Sequence, residues 1–302
     1  MSTSYHVAVI GLGAMGMGAA RSCLRAGLTT YGIDLSEQAR SQLQQAGAAA
    51  VMADARPLAE TLDAVLLLVV NATQVRRILL GDEGLARHLK PGTAIMVSST
   101  IAAEEASSLA AELAQLGLPM LDAPVSGGAI KADAGEMTVM AAGADAAFDK
   151  LAPVLDAVAG KLYRVGSEPG QGSTVKIIHQ LLAGVHIAVA AEAMALASKA
   201  GVPLDLMYDV VTHAAGNSWM FENRMPRVLT GDYQARSAVD IFVKDLTLVA
   251  DTAKALRFPL PLASTALNMF LSASNAGHGQ EDDSAVIKTF SGITLPGREE
   301  RP

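Results

Sequence analysis

The chain has 302 residues, of which 23 are basic and 30 acidic, giving a net charge of −7, and it contains a single cysteine, Cys23. A length of this order fits two domains with sizeable cores. The absence of any Lys or Arg stripe excludes nucleic acid as a partner, and a lone cysteine excludes an internal disulfide framework and fits a reducing, cytoplasmic compartment.

Residues 1–6 carry no basic n-region and run directly into a strand pattern, so no signal peptide is expected. Over residues 7–165 short apolar runs alternate with helix-like stretches: VAVIG, TTYGID, AVLLLVV, AIMVSS, PMLDAPV, MTVMAA and KLYRV. Strands covered on both faces lack polar alternation, and helices between them are what parallel pairing requires. The expected fold is therefore α/β, with an N-terminal Rossmann-type, doubly wound parallel sheet over residues 1–166. Glycines and Pro169 interrupt both patterns over 166–172, and an all-α C-terminal domain is expected over 167–302, its tail from Pro296 frayed.

In chain order the first candidate site is Gly11-Leu12-Gly13-Ala14-Met15-Gly16, between the first strand and a helix. Gly11 permits the tight turn, Gly13 lets backbone approach a pyrophosphate, and Gly16 lets the helix pack on the strand. The next strand ends in Asp34, near the expected place for an acid that accepts hydrogen bonds from a ribose. A carboxylate there repels a 2′-phosphate, so the expected cofactor is NAD rather than NADP. Ligands of open α/β sheets lie beyond the carboxyl ends of the strands, which selects Asn71 and Thr100. Spacing alone leaves capping of the next helix and contact with the cofactor equally open for both.

Asp122-Ala123-Pro124-Val125-Ser126-Gly127-Gly128 leaves a strand into a glycine pair and offers a hydroxyl with unhindered N–H groups, able to hold a carboxylate or to serve as a plain loop. Lys176 lies one turn into the first helix of the second half, among Val175, Ile177 and Ile178. A lysine on a helix is ordinarily solvated or snorkelling; one that is desolvated can exchange protons near neutrality. The stretch 177–191 is nearly charge-free but shorter than the roughly 20 residues of a spanning helix, so it reads as a buried helix between domains or subunits rather than a membrane span. The longer apolar stretch 177–197 offers too little polar surface for a monomer's exterior and predicts a homo-oligomer, dimer or tetramer. The histidines are scattered and no metal site is expected.

Taken together, GLGAMG, DAPVSGG, GQGSTVK and FVKDL resemble the β-hydroxyacid dehydrogenases, the family of 3-hydroxyisobutyrate dehydrogenase and tartronate semialdehyde reductase, over nearly the whole chain. The resemblance implies that Lys176 is the catalytic lysine and that Ser126, Gly127 and Gly128 bind the substrate carboxylate. It also implies that Thr100 lies on the nicotinamide side, that Lys244 closes the site near substrate and cofactor, and that the long helix joins the domains while the helical domains pair subunits. Many relatives have an asparagine three residues after the lysine, where this chain has His179, followed by Gln180. His179 shares a helix face with Lys176 and could donate to a substrate hydroxyl, tune the lysine or be a core residue; His186 reads as structural.

Residues 216–224, GNSWMFENR, are more polar than a methyl-bearing acid requires. Either they bind several hydroxyls, or Trp219 and Phe221 are core and Asn223 and Arg224 make dimer contacts. With His179 and RSAVDIFVKDL, the resemblance is strongest to family members that oxidise a four-carbon sugar acid at C2 with NAD. The alternatives are an enzyme acting on a 3-hydroxy acid, such as 3-hydroxyisobutyrate or tartronate semialdehyde, and a non-catalytic cofactor-binding module. Imine reductases share the architecture but tend to lack the lysine, so Lys176 favours alcohol chemistry.

Overall fold

The computed structural model describes residues 4–296. Beyond Pro296, the tail expected to fray lies outside the described residues. The chain divides into two compact units, residues 1–176 and 177–302.

The first unit begins with β1 (His6–Ile10), α1 (Ala14–Arg25), β2 (Thr29–Ile33), α2 (Glu37–Gln45) and β3 (Ala50–Met52). It continues through β4 (Ala64–Leu67), α3 (Ala72–Leu80), β5 (Ala94–Val97), α4 (Ala103–Gln115) and β6 (Met120–Asp122). Then follow β7 (Val125–Ser126), α5 (Gly128–Ala134), β8 (Met137–Ala142), α6 (Asp145–Val158), β9 (Ala159–Gly166) and the start of α7 (Gln171–Lys199). The sheet order is β3-β2-β1-β4-β5-β6-β8-β7, with β9 beside β8. Parallel pairing runs from β3 through β6 as expected, whereas β8 is antiparallel to β6 and β7.

Two details depart from the sequence pattern. The run PMLDAPV is cut into β6 and β7 at Ala123-Pro124, because proline cannot donate to the ladder. The three-residue β3 hides in an alanine-rich stretch too short to show a period. β1, β4 and β5 are almost wholly buried, and separate apolar cores cover the two faces of the sheet. Leu66 and Met96 belong to one core and their neighbours Leu67 and Val97 to the other, the alternation of a pleated strand covered on both sides.

The second unit holds the rest of α7, then α8 (Leu204–Thr212), α9 (Trp219–Thr230), α10 (Val239–Ala255) and α11 (Pro261–Ala273). Its core gathers Ile187, Ala191 and Met194 of α7 with Phe221, Phe242, Leu246 and Phe270. α7 is long and apolar enough to cross a membrane by length and composition, but half of its most apolar window is buried. Part of the polar character of 216–224 is spent internally: Ser218 caps α9, Phe221 enters the core, and Arg224 forms a two-pronged pair with the fully buried Asp283 at 2.7 and 3.0 Å. Asn223 accepts from both Arg224 and Arg227. Within this unit Arg224 thus acts as the counter-ion of a buried carboxylate, and Trp219 stays half exposed.

Candidate active site

The glycine loop joins β1 to α1. Gly11 sits at φ +90°, and a Cβ there would lie 2.7 Å from the Leu68 carbonyl oxygen. A Cβ on Gly16 would meet the Gly11 carbonyl oxygen at 1.7 Å, so packing alone demands glycine at both positions. Gly13 differs: apart from the local chain itself, no protein atom lies within 4 Å of where its Cβ would be. It is also the N-cap of α1, which has no side-chain cap and no acid in its first turn. Open space in front of uncapped N–H groups at a helix N-terminus fits a bound pyrophosphate. The intervening residues differ in exposure, Leu12 being buried, Met15 half-buried and Ala14 exposed.

Asp34 lies just beyond β2. Its carboxylate accepts from the Leu12 N–H and the Ser36 N–H, each at 2.7 Å, and so ties the glycine loop to the strand end. The cap of α2 is Ser36, so Asp34 does not serve as the N-cap of that helix. Arg40 donates to the Asp34 and Leu35 carbonyl oxygens, while the Leu35 side chain is 86% exposed. Loop, uncapped helix and acid together fit a dinucleotide with an unphosphorylated ribose.

Of the two residues selected beyond strand ends, Asn71 caps α3, its side-chain oxygen accepting from the Gln74 N–H at 2.9 Å. Thr100 is not the cap of α4, a position held by Ala102.

Ser126 closes β7 opposite Thr138 of β8. Gly127 and Gly128 follow at φ +133° and +71°, left-handed conformations that favour glycine, and Gly127 is the N-cap of α5. α5 packs tightly on α1: a Cβ on Gly18 would fall 2.5 Å from the Asp133 nitrogen, and Ser22 donates to the Ala132 carbonyl at 3.0 Å. The helix after the glycine loop and the helix after Gly127 are therefore fastened to each other.

Lys176 is 6% exposed, buried as its apolar neighbours suggest. The first turn of its helix is held by Asp122, which accepts from the N–H groups of Gly170 and Ser173, both at 2.8 Å, and from the Ser173 hydroxyl at 2.7 Å. Burial pushes the Asp122 carboxyl above the usual carboxylate range, opposed by these bonds. Spacing did not reveal this clamp, although an acid at the end of an apolar strand must find donors once it is buried.

In the second unit a polar chain links the other candidates. Asp245 is 2% exposed; it accepts from the Gln180 amide at 2.6 Å, and Lys244 Nζ lies 2.6 Å from its other oxygen in a close ion pair. The carboxylate accepts only, so the Gln180 nitrogen faces it and the Gln180 oxygen faces His179 Nδ1 at 2.9 Å. A neutral imidazole so placed carries its proton on Nδ1. Cys23 is buried, which pushes its thiol up to about 12, so it supplies no nucleophile. Among the described residues no cluster of metal-ligating side chains occurs.

Two family models account for most of the chain: residues 6–166 match the NAD binding domain of 6-phosphogluconate dehydrogenase, and residues 170–290 match the NAD-binding domain of NADP-dependent 3-hydroxyisobutyrate dehydrogenase. The chain belongs to the β-hydroxyacid dehydrogenase family. This family member is 72% identical to the L-threonate dehydrogenase of Escherichia coli O6:H1 over 98% of both chains. It is 68% identical to that of Pectobacterium atrosepticum over 100% of this chain and 99% of the relative. A solved structure, the 3-hydroxyisobutyrate dehydrogenase of Salmonella typhimurium, superposes with a TM-score of 0.92 at 69% identity, over 95% of this chain and all of that one. The dehydrogenase is thus an NAD-dependent oxidoreductase acting on a CH–OH group.

Proposed function

We propose that this dehydrogenase oxidises L-threonate at C2 to 2-oxo-tetronate. The observation that carries the reading is the 67 to 72% identity, across nearly full length, to enzymes named L-threonate dehydrogenase. A second reading comes from the solved structure named 3-hydroxyisobutyrate dehydrogenase at 69% identity. The joined His179 and Gln180, where the chain departs from the family's asparagine, favour the first. A hydroxyl-rich acid needs such partners, whereas for a methyl-bearing acid they bring only a desolvation cost.

In this reading residues 1–166 hold NAD and residues 167–302 form the helical substrate and subunit domain. NAD, held by the 11–16 loop and Asp34, with Asn71 and Thr100 at the strand ends, supplies the hydride acceptor. The Ser126 hydroxyl and the N–H groups of Gly127 and Gly128 hold the substrate carboxylate. Lys176 Nζ takes the C2 hydroxyl proton as the C2–H bond gives up its hydride and the carbonyl forms. Gln180 and Lys244 line the substrate side, and Lys244 also reaches the cofactor. His179, on the Lys176 face of the helix, lines the substrate side with Gln180.

The test is a panel of C3 to C6 hydroxy acids with NAD and with NADP. The expected result is the highest kcat/KM for L-threonate with NAD; much faster turnover of 3-hydroxyisobutyrate would overturn the reading.

We also infer a cytoplasmic homodimer or homotetramer. Ile178, Leu182, Val189 and Leu196 are each more than half exposed along α7, at a spacing that makes one apolar stripe suited to a second copy. Light scattering should give at least twice the 31.1 kDa chain mass; a monomer at micromolar concentration would contradict it.

A further inference from the structure

Asp122 opens the anion-loop motif, is fully buried and has no part in the chemistry above. Its backbone is paired within the sheet, opposite Val97 of β5 on one side and Ala142 of β8 on the other. Its carboxylate reaches out of the sheet to Gly170 and Ser173, so both oxygens are spent on the first turn of α7. That turn contains no acid of its own, and the Asp122 carboxyl oxygens are the acceptors its N–H groups meet. The approach is too close for a side chain, since a Cβ on Gly172 would lie 2.4 Å from the Asp122 carbonyl oxygen and 2.6 Å from that of Met140. Gly170 is at φ +102°, and a Cβ there would strike Ser107, whose hydroxyl also donates to the Pro169 carbonyl at 2.8 Å.

The strand that ends at Asp122 continues through Pro124 into Ser126, whereas the helix it clamps presents Lys176 one turn beyond Ser173. One side chain therefore stands at the root of both elements. We propose that Asp122 is a positioning residue of the dehydrogenase, setting the separation between the loop that holds the substrate carboxylate and the lysine that takes the hydroxyl proton. It touches neither substrate nor cofactor. Its effect is geometric: the Ser173 hydroxyl and the N–H groups of residues 170 and 173 fix the start of the helix, and the rise of about 1.5 Å per residue carries that placement to Lys176. The proposal rests on the reading of Lys176 as the proton acceptor.

The experiment compares Asp122→Ala, Asp122→Asn, Ser173→Ala and Lys176→Ala by steady-state kinetics on L-threonate, with NADH affinity by fluorescence titration and thermal melting as controls. Misplacing a catalytic group by about 1 Å costs about 10²-fold. Asp122→Ala is therefore expected to lose about 10²-fold in kcat while binding NADH within about threefold of the parent. Asp122→Asn is expected to recover to within about tenfold. Its carboxamide oxygen can accept from both N–H groups and its nitrogen can donate to the Ser173 hydroxyl, which accepts as well as donates. Ser173→Ala keeps both backbone bonds and should fall between the parent and Asp122→Ala; it carries the test if the alanine variant does not fold. Unchanged kcat in Asp122→Ala, or in Ser173→Ala where that variant carries the test, would overturn the proposal. So would equal losses in the alanine and asparagine variants, or a loss of NADH affinity parallel to that of kcat. Full turnover by Lys176→Ala would remove the lysine reading and the proposal with it. An inactive Lys176→Ala beside a fully active Asp122→Ala would remove the proposal alone.

Discussion

Replacing Lys176 by alanine is expected to leave NADH binding close to normal and to reduce kcat by about 10²- to 10⁴-fold, the range contributed by general acid–base catalysis. The reason is chemical necessity combined with placement. An alcohol that gives up hydride must also give up its hydroxyl proton, and Lys176 is a buried amine on a helix start fixed to the end of β6. The glycine loop and Asp34 are held by a separate set of bonds, Leu12 N–H to Asp34 among them. Cofactor affinity and proton transfer should therefore separate cleanly in the variant. Steady-state rates with an NADH titration check this, and near-full turnover without the lysine would end its assignment as the base. Arginine at this position should not restore activity, because a guanidinium stays protonated at any working pH.

Changing Asp34 to serine together with Leu35 to arginine should turn cofactor preference towards NADP. In the parent a carboxylate stands at the end of β2, where it would repel a 2′-phosphate and could accept from a 2′-hydroxyl. Two like charges at about 4 Å repel by about 4 kcal/mol at the effective dielectric of a protein surface, and less where water reaches them. Leu35 is 86% exposed and can be replaced without disturbing the core. Arg40, nearby on α2, already donates to the carbonyls of residues 34 and 35 and could add to the phosphate site. The double variant should shift the ratio of kcat/KM for NAD over NADP by about 10- to 10³-fold. Some loss with NAD should accompany it, since serine accepts less well than the carboxylate from the Leu12 and Ser36 N–H groups. An unchanged ratio would take Asp34 out of the ribose site.

The parallel half of the sheet was legible because buried strands announce themselves as unbroken apolar runs, and AVLLLVV and AIMVSS became β4 and β5 at the sheet centre. The glycine loop was legible for a related reason. At Gly11 and Gly16 the surrounding backbone allows no side chain, and at Gly13 the space beside the helix start is open, so geometry writes itself into residue type at the first two positions. What spacing could not show were contacts between distant segments. Nothing in the local sequence says that Asp122 meets Ser173, that Asp245 orients Gln180 or that Arg224 serves Asp283, because each pair is made by the fold. The polar stretch 216–224 invites a reading as a hydroxyl-binding surface for the same reason. Its polarity answers a buried carboxylate from residue 283, which the sequence places far away. Antiparallel β8 carries no period that distinguishes it from its parallel neighbours, so its direction came only with the fold.

The measurement closest to the central claim is the identity of the product formed from L-threonate and NAD. Oxidation at C2 gives a 2-oxo acid, which is stable, whereas oxidation at C3 gives a 3-oxo acid, which readily loses carbon dioxide. The account predicts one NADH for each 2-oxo-tetronate formed, with all four carbons retained by mass spectrometry. A product shortened by carbon dioxide, or no NADH from L-threonate while 3-hydroxyisobutyrate is turned over, would contradict it.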